Sequence, residues 1–86
     1  MIINSQIVII NTYNITATLT NVTGGASNPT EITSGGSATL TFTASSGYDL
    51  PDTITVSGAT LTSWTKATGT AIISNPTGAV TITITG

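Results

Sequence analysis

The chain has 86 residues, enough for one domain, and a domain of that size buries only about 60–65% of the surface its unfolded form exposes, which leaves little room for a large internal ligand cavity. Lys66 is the single cation, set against Glu31, Asp49 and Asp52 for a net charge of −2, so the basic stripe that nucleic acid or an anionic membrane surface requires is missing. Cysteine and histidine are both absent, which excludes a disulfide framework, thiol chemistry and imidazole ligation.

The first segment, Met1-Ile2-Ile3-Asn4-Ser5-Gln6-Ile7-Val8-Ile9-Ile10, has neither a basic n-region nor the long apolar stretch of a secretory signal, and it falls short of a membrane span. Residues 6–10 read as a strand. Ile7, Val8, Ile9 and Ile10 are apolar at consecutive positions, so that strand would carry hydrophobic side chains on both faces. Either its own domain covers it on both sides, or residues 1–12 form an assembly arm that pairs with another chain's sheet edge.

From residue 13 the pattern changes to strict alternation. Threonine fills roughly a quarter of the chain and falls at every second position in Thr16-Ala17-Thr18-Leu19-Thr20, Thr39-Leu40-Thr41-Phe42-Thr43, Thr53-Ile54-Thr55 and Thr81-Ile82-Thr83-Ile84-Thr85. A period of two belongs to strands, with apolar side chains on one sheet face and hydroxyls on the other. Glycine, asparagine and proline stops at Gly24-Gly25, Asn28-Pro29, Gly35-Gly36, Ser46-Gly47, Ser57-Gly58, Thr68-Gly69 and Asn75-Pro76 punctuate the runs. The strands expected between them are 13–22, 30–33, 37–45, 53–57, 59–66, 70–74 and 79–85, and 47–52 has room for one helical turn. Residues 13–86 then make a single all-β domain, a small immunoglobulin-like β-sandwich of seven to eight short strands, with a β-grasp-like module as the alternative.

Alternation also assigns the core. Tyr13, Ile15, Ala17, Leu19, Ala38, Leu40, Phe42, Ala44, Ile54, Val56, Val80, Ile82 and Ile84 face inward, and Leu61, Trp64 and Ile72 complete the set. The threonines opposite them are first of all β-favouring residues for outward positions.

Residues that could carry chemistry are few. Asp49 and Asp52 flank a proline on one loop, where acids usually stabilise turns, and with Gly47 they match no established calcium loop. No catalytic residue, metal ligand or cofactor site is assigned, and the chain is read as a non-enzyme. Tyr48 and Trp64 are the candidate surface-binding aromatics, suited to stacking on a sugar.

The stretch Gly47-Tyr48-Asp49-Leu50-Pro51-Asp52-Thr53-Ile54 and the ending Ile73-Ser74-Asn75-Pro76-Thr77-Gly78-Ala79-Val80-Thr81-Ile82, together with the run from Tyr13 to Thr23, carry a resemblance. Over about 70 residues the chain resembles a small β-module of phage and prophage tail, fibre and virion surface proteins, and of related bacterial cell-surface repeats of the kind found in Firmicutes and gut bacteria. The resemblance implies a non-catalytic structural component of a virion, such as a decoration, head/tail accessory or appendage module, either free-standing or one unit of a longer protein. The implied partners are other virion proteins or further copies of the same chain in a homo-oligomer, without nucleic acid or membrane. A carbohydrate- or cell-surface-binding module, located on the virion or the bacterial cell surface, is the alternative.

Overall fold

A computed structural model describes residues 11–86. The segment containing Ile7, Val8, Ile9 and Ile10 lies outside the described residues. Eight strands follow in order: β1 (Thr12–Thr20), β2 (Val22–Gly24), β3 (Glu31–Thr33), β4 (Ser37–Ala44), β5 (Thr55–Ser57), β6 (Thr60–Thr65), β7 (Thr70–Ser74) and β8 (Val80–Thr85). They form two four-stranded sheets, β3-β1-β8-β5 and β2-β4-β7-β6, packed face to face as a sandwich. There is no helix among the described residues, and 47–52 leaves a turn at Gly47 as irregular chain with one bend at Asp52, without the helical turn for which it had room. Two packed sheets without a helix also displace the β-grasp alternative.

All pairings are antiparallel except that of β1 with β8, which run parallel from Ile15↔Val80 to Thr20↔Thr85. β1 and β8 thus lie side by side in the middle of one sheet, with four strands in each layer among the described residues, whereas a constant-type immunoglobulin domain divides its seven strands four and three.

One residue explains a departure from simple alternation. Asn21 adopts a left-handed backbone (φ 58°), a conformation asparagine tolerates better than most residues, and there the chain leaves the first sheet as β1 and enters the second as β2. The kink resets the phase. Odd-numbered side chains point inward before it, and Val22 points inward after it.

The core consists of Val22, Ile32, Ala38, Leu40, Phe42, Ala71, Ile73, Val80, Ile82 and Ile84. Tyr13, Ile15, Leu19, Leu50, Ile54, Val56, Leu61 and Trp64 pack against it half-buried. One inward expectation is corrected, and two inward-facing alanines are less enclosed than expected. Ile72 lies half-buried opposite Thr39 on the outer face, because β4 pairs Ala38 with Ile73 and Leu40 with Ala71. Three consecutive apolar residues, Ala71-Ile72-Ile73, leave the phase open in sequence, and pairing decides it. Ala17 is exposed, and Ala44 is only half-buried.

The alternate positions line up as ranks of hydroxyls. On the first sheet Thr16, Thr18 and Thr20 stand beside Thr81, Thr83 and Thr85, which continue to Ser57 and Thr55. On the second, Ser37, Thr39 and Thr41 stand beside Ser74, Ile72 and Thr70. Cross-strand threonine and serine pairs of this kind add a little stability each. Thr62, left over by the irregularity between Leu61 and Ser63, shares a 2.7 Å hydrogen bond with the Ser74 hydroxyl.

Candidate functional site

Two concavities stand out among the described residues. The first is a broad, shallow hollow of about 690 Å³ at the end of the sandwich, where the long loop after β4 crosses to β5 and meets the β6–β7 turn; Ala44, Asp49, Leu50, Lys66 and Ala67 line it. Gly69 shapes this end. Its backbone is left-handed (φ 67°), its carbonyl accepts the Phe42 N–H at 2.8 Å, and a Cβ there would collide with the Phe42 carbonyl.

The lysine of the hollow is held by a carboxylate beyond its lining. Lys66 Nζ donates to Asp52 Oδ1 at 2.9 Å, an exposed ion pair. That hydrogen bond, followed by the lysine's charge, holds the Asp52 carboxyl below its ordinary value near 3.8, and the same contact raises Lys66 above 10.5. Screening by water keeps such a pair weak.

Tyr48 and Trp64 take different places. Tyr48 is 49% exposed, the most exposed large hydrophobic side chain among the described residues, and its N–H donates to the Ser45 carbonyl to close the turn. Trp64 is half-buried against the core, and its indole N–H donates to the Pro51 carbonyl at 3.0 Å. The indole therefore ties the Leu50-Pro51 stretch to β6, while Leu50 adds its side chain to the periphery of the core.

The second concavity is a slot of about 320 Å³ between the two sheets on the β1–β4 side. Ile15 and Ala17 form one wall, Leu40 and Phe42 the other, and the loop from Gly24 to Thr30 closes one end. Its two lips are built differently. On the β4 lip the Asn28 carboxamide acts as a short piece of strand: Nδ2 donates to the Thr41 carbonyl at 2.7 Å, and Oδ1 accepts the Thr41 N–H at 2.8 Å. Gly25 N–H donates to the same carbonyl at 2.9 Å, in a position where a Cβ would meet the Thr41 hydroxyl.

On the β1 lip, β3 pairs only with Thr12, Tyr13 and Asn14, and the last bond on that side runs from Ile15 N–H to the Thr30 carbonyl at 2.8 Å. Odd-numbered residues of β1 face the β3 side and even-numbered ones face β8, as the bond from Gly86 N–H to the Thr20 carbonyl confirms. Beyond Ile15 the backbone groups of Ala17 and Leu19 therefore point into an open lane beside the slot, with no partner among the described residues.

Neither the Asn28 clasp nor the slot was anticipated from sequence. The available signal was the small Ala17 in an otherwise large apolar series, facing a Gly24-Gly25 loop. Among the described residues no group of three or more acidic side chains gathers to hold a metal, and no helix is long and apolar enough to cross a membrane. Comparison with protein-family models, curated proteins and solved structures returned no match to this chain.

Proposed function

We propose that the chain is a non-catalytic structural module that works through protein–protein assembly as a virion component of a phage, in a decoration, head/tail accessory or appendage role. The observation that supports this reading is that the residues behind the resemblance are spent on the fold. Leu50 and Pro51 anchor the long loop to the core and to Trp64, and Asn75 takes a left-handed backbone (φ 51°) ahead of a buried Pro76, turning the chain out of β7. A module whose distinctive residues hold its shape offers its outer faces and edges to neighbours, and here those faces are mostly ranks of threonine and serine, interrupted by Ile72 on one sheet and by Glu31 at the β3 edge of the other.

Mass spectrometry of particles purified from a lysate of bacteria encoding the chain tests the proposal. It predicts enrichment together with capsid and tail proteins. Recovery only from the particle-free fraction overturns the virion role.

A second reading, a carbohydrate- or cell-surface-binding module, draws on the exposed ring of Tyr48. Saturable binding on a glycan array that Tyr48→Ala abolishes favours it; binding to no glycan discards it.

A further inference from the structure

We propose that the open lane along Ala17 and Leu19 is an acceptor for a β-strand, and that its occupant is the Ile7-Val8-Ile9-Ile10 segment of a second copy of this chain. The inference rests on the assembly reading above and names its partner and surface.

A strand added to a sheet needs an edge with free backbone groups and pockets for every second side chain. The β1 lip supplies both. Ala17 and Leu19 present N–H and C=O groups into the lane, and beneath the lane the slot is walled by Ile15, Ala17, Leu40 and Phe42. Because Ala17 has only a methyl group where its neighbours carry four-carbon side chains, the wall is recessed there and the residue is exposed although it points inward. The opposite lip is already taken at Thr41, whose backbone Asn28 satisfies.

The donor must carry apolar side chains at alternate positions and little charge, because nothing in the slot neutralises one. Residues 7–10 meet both conditions and precede β1. Chain length decides whose residues they are. Ile7 stands four residues before Asn11, so a fully extended chain carries it at most ~14 Å from Asn11. Ala17 lies six residues along an extended strand, roughly 20 Å from the same point, and the nearer part of the lane is filled by β3. A chain's own Ile7–Ile10 therefore falls short of its own lane, whereas a neighbour's faces no such tether. Reciprocal exchange closes a two-fold dimer, and one-way donation builds a ring or filament.

Two variants of the full chain separate donor from acceptor. Ala17→Arg fills the recess at an exposed position and keeps the donor; Val8→Asp with Ile9→Asp spoils the donor and keeps the acceptor. Sedimentation is expected to show an oligomer for the parent chain, monomers with parent-like melting for each variant, and a 1:1 complex when the two are mixed. Ala17→Pro is the second acceptor variant. It removes only an N–H that points into the lane, so the ladder to β8 survives while strand addition is lost.

A parent chain that stays monomeric at its highest soluble concentration overturns the self-pairing, and attachment to other virion proteins is unaffected by that result. An oligomer that persists in every variant overturns the lane and the donor while the assembly reading stands.

Discussion

β1 and β8 are twins in sequence and opposites in environment. Both alternate threonine with an apolar residue, and they pair in parallel so that Ala17 sits beside Ile82 and Leu19 beside Ile84. Yet Val80, Ile82 and Ile84 are at most 1% exposed, while Ile15 and Leu19 are only half-buried and Ala17 is open to solvent. The difference lies in what flanks each strand. β8 has a neighbour on each side, β1 and β5, whereas β1 loses β3 after Asn14 and borders the slot from there on. Burial is therefore set by position in the sheet, and the alternating pattern indicates only which side chains are eligible for it.

The sharpest way to break this comparison is to substitute the two members of one register pair. Ile82→Ala is expected to cost about 2–5 kcal/mol, since it empties a fully enclosed site, and Ala17→Ser to change stability by less than about 0.5 kcal/mol. Denaturant unfolding of both checks it; similar losses would mean that β1 is as enclosed as β8.

Next in size is Gly69→Ala, which places a Cβ in a left-handed backbone against the Phe42 carbonyl and is expected to destabilise by about 2–3 kcal/mol. Thermal melting measures it, and a parent-like midpoint would show that the turn relaxes freely.

Asn28→Ala sharpens the contrast between the two lips of the slot. It leaves the Thr41 N–H without its side-chain acceptor, and a loss of about 1–2 kcal/mol is expected together with faster hydrogen exchange at Thr41. Unchanged exchange would mean that the clasp is not what closes the β4 edge.

The smallest effect belongs to the exposed pair at the far hollow. Asp52 titrates below its ordinary value in the folded chain, so its contribution is present above about pH 4 and is lost as pH falls through the lowered value. Lys66 titrates above its ordinary value, so its share is complete below about pH 10 and fades at higher pH. Lys66→Met should flatten the acid limb of a stability–pH curve slightly, and raising the salt concentration should do the same to the parent.

Much of the architecture was legible in advance because strand period and turn chemistry agree along most of the chain. The expected 37–45, 59–66, 70–74 and 79–85 correspond closely to β4, β6, β7 and β8. The expected strand at 13–22 divides at Asn21, since alternation contains no sign that one residue will take a left-handed backbone and carry the chain into the other sheet. The same kink explains why Val22 was not placed in the core. Ile73 was missed in favour of Ile72 because three apolar residues in a row fit either face.

The concavities were less legible still. Tyr48 and Trp64 stood out as aromatics in a chain that has few, but whether an indole is offered to a ligand or bonded to a loop carbonyl depends on where residue 51 lies when residue 64 arrives. Asn28 reads as a turn residue, and its role as a substitute strand appears only once Thr41 is beside it.

By itself the sequence determined the all-β class, the strand positions to within a few residues, most of the division into inward and outward side chains, the scarcity of charge and the lack of cysteine and histidine. These are local properties, carried by period, turn propensity and composition. The tertiary structure alone decided that β1 and β8 run parallel at a sheet centre, that β1 outlasts its neighbour β3, and that a slot lies beside Ala17 along a stretch of β1 without a strand partner among the described residues. Those facts depend on pairings between residues far apart in the chain, which no local pattern encodes.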